Sequence, residues 1–136
     1  MTAYDPAVRT RTVARIVGPY LVLMAVALFA RQGELELLLP AFMQDAPLVL
    51  ATGALTLMAG LVLIAAHHHW TSAAAIVISV IGIAAALKGA WLMIAPGLGS
   101  EITAAAVSSP LVLPIAAGAD LLVGLWLSFV GWLAKA

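Results

Sequence analysis

Two ionisable side chains lie inside long apolar runs of this chain, and they are where chemistry would be sought first. Lys88 sits near the end of Ser72–Ala95 and Asp120 within the run that follows Pro110. Read as adjacent antiparallel spans, each residue lies about 20 Å above the same end, at 1.5 Å per residue. A lone charge near mid-bilayer costs roughly 2.5–3.5 kcal/mol on insertion scales, and pairing reduces that cost. The depths therefore lead us to expect an intramembrane ion pair, Lys88 with Asp120. For Lys88 the alternative is snorkelling, its flexible stem lifting the ammonium to the headgroups. Asp120 is too short to snorkel, which leaves it pairing or a neutral carboxyl.

The run His67-His68-His69 is the second candidate. Imidazole nitrogens suit zinc, nickel or copper. On a helix, however, three consecutive residues point in different directions and do not converge on one ion. The chain has no further histidine and no cysteine to complete a set, so this is a weak metal site at most. The expected state is a polar, partly protonated helix end, and no cofactor is expected. Without cysteine, disulfides, thiolate metal sites and cysteine nucleophiles are excluded. No serine–histidine–acid grouping, P-loop or dinucleotide fingerprint occurs.

The elements that must position these residues are membrane spans. Hydrophobic residues make up 65% of the chain and charged residues 9%, with mean hydropathy +1.16. Soluble domains carry about 25% charged residues, so a water-facing surface is missing. Six Lys/Arg balance six Asp/Glu, which gives no basis for nucleic-acid binding. An apolar stretch of some 20 residues crosses a bilayer. Four spans follow, at about 14–30, 46–66, 72–95 and 110–133, in one domain covering 1–136. The first apolar run is short, and with its basic lead it also fits a signal peptide cleaved at Ala25-Val26-Ala27. A retained span is the expectation.

Between spans, Leu35, Leu38, Leu39, Phe42 and Met43 recur at helical spacing. They suggest either a short amphipathic interfacial segment, broken or bent at Pro40, or a first helix that runs on. Asp45 before Ala46-Pro47, Ser72, and Ser109 before Pro110 read as helix starts, and Pro96-Gly97 as a stop. Residues 96–109 read as a small-residue loop with a helical turn or two near Glu101.

Arg9, Arg11, Arg15 and Lys135 fall on one side, with the histidine turn. Glu34, Glu36, Asp45 and Glu101 fall on the other, with Arg31 as the exception. The positive-inside rule then puts both termini in the cytoplasm and the four helices in up-down-up-down order. Trp70, Trp91 and Trp132 mark interfaces, while Trp126 is too deep for the aromatic belt and is expected to pack inside.

Small residues form stripes suited to close helix packing: Gly53 and Gly60 in the second span, Gly82 in the third. In the fourth span Ala116, Asp120, Gly124 and Ser128 repeat at i+4. Arg15-Ile16 with Gly18-Pro19, His67 and Trp70 at the second turn, and Gly82 with Lys88-Gly89 also form a pattern. In it the chain resembles small four-span membrane proteins found across bacteria. That resemblance implies an architectural role for Lys88 and no activity. Small multidrug transporters share the length and span count but carry an acidic residue in the first span, and residues 16–30 contain none.

Taken together, the expectation is an all-α, multi-pass protein of a bacterial inner membrane. It would act as a non-enzymatic accessory or scaffold subunit whose partners are lipid and other membrane helices, in a homo-oligomer or larger complex. The alternative is a small homo-oligomeric transporter or proton-coupled channel using Lys88 and Asp120.

Overall fold

A computed structural model describes residues 6–67 and 70–134. Among them are six α-helices: α1 (Pro6–Ala30), α2 (Gln32–Gln44), α3 (Ala46–Ala66), α4 (Ala73–Ile94), α5 (Pro96–Ser108) and α6 (Val112–Ser128). A π-helical turn, Phe129–Leu133, extends α6. α1, α3, α4 and α6 with its π turn are long and apolar enough to cross a membrane. This is the signature of a multi-pass membrane protein.

Local chemistry sets most of the boundaries. Asp45 accepts a hydrogen bond from the Leu48 N–H at 3.0 Å, and Pro47 fills the first turn of α3, where its missing donor costs nothing. Ser72 accepts from the Ala75 N–H at 3.2 Å and starts α4. Pro96 acts twice. It disfavours helical backbone at Ala95, which adopts φ −137°, ψ 62°, and so ends α4, and it then opens α5.

Four details differ from the sequence expectation. α1 begins at Pro6, two turns before the apolar run, because a helix that leaves the bilayer need not end there. Residues 96–108 are a full helix rather than a loop, packed against α2. Pro40 lies inside α2 without ending it, since only one backbone donor is lost. Ser109 makes no side-chain cap, and α6 starts at Val112 after a turn.

Packing falls into two antiparallel pairs, α3 with α4 and α1 with α6, while the short helices α2 and α5 pack on each other. α1 joins the long pairs where Ala14 and Val17 meet Ala74 and Ile78 of α4 and Leu127 of α6. Elsewhere many large aliphatic side chains point outward, from Leu23 on α1 to Leu122 on α6, as lipid-facing residues do.

Candidate functional site

Most of the glycines lie where helices touch. A Cβ on Gly60 would collide with the Ala86 backbone, and one on Gly89 with the Leu57 backbone. Gly53 lies against Met93, Leu92 and the Gly89 carbonyl, and Gly82 against Leu63. In the other pair, a Cβ on Gly124 would lie 2.8 Å from the Val22 nitrogen, and one on Gly18 2.6 Å from the Ser128 Oγ. Gly53, Gly60, Gly82, Gly124 and Ser128 thus line seams inside the chain.

The arginine end is tied by side chains that reach across to backbone. Arg15 donates from Nε to the Gly131 carbonyl at 2.7 Å. Its guanidinium carbon lies 5.5 Å from the Trp132 ring centroid, while Trp132 Nε1 donates to the Arg15 carbonyl at 3.4 Å. The exchange fixes α1 to the π turn, in a geometry that suits a planar cation on an aromatic face. Arg9 donates from Nη1 to the Ala66 carbonyl at 3.4 Å and links α1 to the end of α3. His67, expected as part of a polar helix end, is fully buried. The buried Ser79 of α4 donates to the His67 carbonyl at 3.4 Å. His68 and His69 lie outside the described residues, so the triple-histidine site is not tested by them.

Lys88 and Asp120 do not meet among the described residues. Lys88 is exposed and lines a cleft of about 390 Å³ between α4 and α5, with Trp91, Gly99, Ile102 and Thr103. Asp120 is half-buried on the face of α6 that also carries Ala117, Gly124, Leu127 and Gly131, the face turned to α1. α4 packs chiefly on α3 and α6 chiefly on α1. The equal depth expected from residue counting therefore does not pair the two charges within one chain. Arg31, the basic exception on the acidic side, pairs with Glu34 at 2.8 Å. Trp126 is 38% exposed and faces outward rather than packing inside.

Two hollows were not foreseen. One, of about 460 Å³, lies between α2 and α5 and is edged by Gln44, Ser100, Glu101 and Thr103. The other, of about 550 Å³, runs between α1 and α3 and is almost wholly apolar, with Tyr20 and Thr56 the polar residues in its lining. A signal for the second was present: Arg9, Val13, Ile16 and Tyr20 form one stripe of α1 at i, i+4, i+7 and i+11. The chain matches no protein-family model, no curated protein and no solved structure.

Proposed function

We propose that the chain is a non-enzymatic accessory or scaffold subunit of a bacterial inner membrane. It would cross four times in alternating directions, with both termini in the cytoplasm. One observation carries the reading: polar groups at the arginine end are used to tie helix to helix. Arg9, Arg15, Ser79 and Trp132 each donate to a backbone carbonyl of another segment. Such cross-links make a rigid frame. The two antiparallel pairs, with the helix ends that Arg9 and Arg15 bring together, support the alternating order. The glycine stripes are filled from within, so partner helices would meet the outward faces of the spans. Native mass spectrometry of the untagged protein, extracted gently from its own membrane, tests this. A heteromeric mass is expected, and a bare monomer would overturn it.

A second reading, a small homo-oligomeric transporter or proton-coupled channel, is favoured by the half-buried position of Asp120 on the α1–α6 seam. Intramembrane carboxylates are functional candidates by default. On that reading Asp120→Asn abolishes a pH-dependent flux in liposomes while leaving the fold intact. Unchanged flux, or none in the wild type, would remove it.

A further inference from the structure

Two charges of opposite sign are left over inside the apolar helices. Lys88 on α4 and Asp120 on α6 make no ion pair or hydrogen bond among the described residues. A charge held alone within a bilayer is costly, and such residues pair or mark a working site. Neither is sealed from outside the chain. Lys88 is exposed, as is Ala84 one turn before it. Asp120 is half-buried toward α1, but Ala116 and Ala119 beside it are exposed and small enough to let another helix come close. Position along the helices matches as well. At 1.5 Å per residue, Lys88 lies about 9 Å before the end of α4 and Asp120 about 12 Å after the start of α6. These are the two ends that α5 joins. If both helices cross, copies inserted the same way hold the lysine of one and the aspartate of the other at nearly one height, a gap that a lysine stem spans. Within a chain, the packing of α4 on α3 and of α6 on α1 keeps the two apart, a constraint that does not act between chains. An unrelated partner would have to bring both an acid and a base at that height. A second copy brings both.

We infer that Lys88 of one copy pairs with Asp120 of another, so that the chain self-associates side by side through α4 and α6. A two-fold interface makes the contact twice. The inference rests on the homo-oligomeric reading and names what joins its copies, and it needs no transport.

The test is energy transfer in lipid vesicles between full-length copies carrying donor and acceptor dyes on Thr71→Cys. The chain has no cysteine of its own to take up the dyes. The wild-type pair of charges should give association. Lys88→Met and Asp120→Asn should each weaken it by at least about five-fold, the lower end of one interhelical polar contact in a bilayer. Mixing the two variants should recover association, because the Asp120 kept by one meets the Lys88 kept by the other. A variant that merely misfolds is not rescued by that mixture. A monomeric protein with both charges intact overturns the homo-oligomer and the pair together. Association that survives both substitutions overturns the pair alone and returns Lys88 to the headgroups. Loss without recovery on mixing overturns the pair as well.

Discussion

Arg15 shows what a charged residue does at the edge of an apolar bundle. It ties α1 to the π turn through a backbone carbonyl and an indole ring. A lysine cannot keep both the 2.7 Å bond to the Gly131 carbonyl and a flat stack on Trp132, because its ammonium is a point donor. Arg15→Lys should therefore cost about 1–2 kcal/mol, a hydrogen bond and a cation–π contact partly lost. Thermal unfolding in detergent, followed by tryptophan fluorescence, would show a lower midpoint, and an unchanged one would contradict the lock. Glycines give a matched pair of outcomes. Gly60 has the Ala86 backbone where a Cβ would be, whereas Gly118 has nothing within 4 Å. Gly60→Ala should cost at least about 1–3 kcal/mol by forcing α3 from α4. Gly118→Ala, also mid-helix, should be neutral or gain up to about 1 kcal/mol from helix propensity. Equal effects at the two positions would mean that the α3–α4 seam is not closely packed.

At the scale of elements, sequence and structure agree where one residue type has one job. Asp45 and Ser72 were legible as caps because a side-chain oxygen followed by an apolar run has few other uses there. α5 was not legible. Gly97, Gly99 and Ser100 have weak helix propensity, and what holds them helical is tertiary, the packing of α5 on α2. A Cβ on Gly99 would lie 3.0 Å from the Met43 Cε, which offers a direct check. The chain has no cysteine, so a Met43→Cys, Gly99→Cys variant carries only the two new thiols. A short bis-maleimide should link them, giving a faster-migrating band on a denaturing gel. Failure to link, with both thiols reactive singly, would separate α2 from α5.

For the whole molecule, residue counting gives an expected depth along a span and says nothing of neighbourhood. Counting residues leads one to expect Lys88 and Asp120 at one height, but which helices adjoin depends on how seams close around α1, and hydropathy carries no azimuth. His67 is the same lesson in reverse: a histidine beside two more looks like a wet helix end until α4 packs over it. The groove escaped for a related reason, since its two walls lie about 40 residues apart in the sequence. Orientation is where the sequence signal is strongest. Arg9, Arg11 and Arg15 gather at one end, and the lone arginine at the other, Arg31, is held by Glu34. If basic residues stay on the cytoplasmic side, Thr71 faces the cytoplasm and Gly97 the opposite side, both of them exposed. Single cysteines at these positions decide it in intact spheroplasts. A membrane-impermeant maleimide should label Gly97→Cys at once and Thr71→Cys only after permeabilisation. The reverse pattern would invert the protein. Labelling of both from outside would break the alternating order itself, because two sites joined by the single span α4 cannot share a side if α4 crosses.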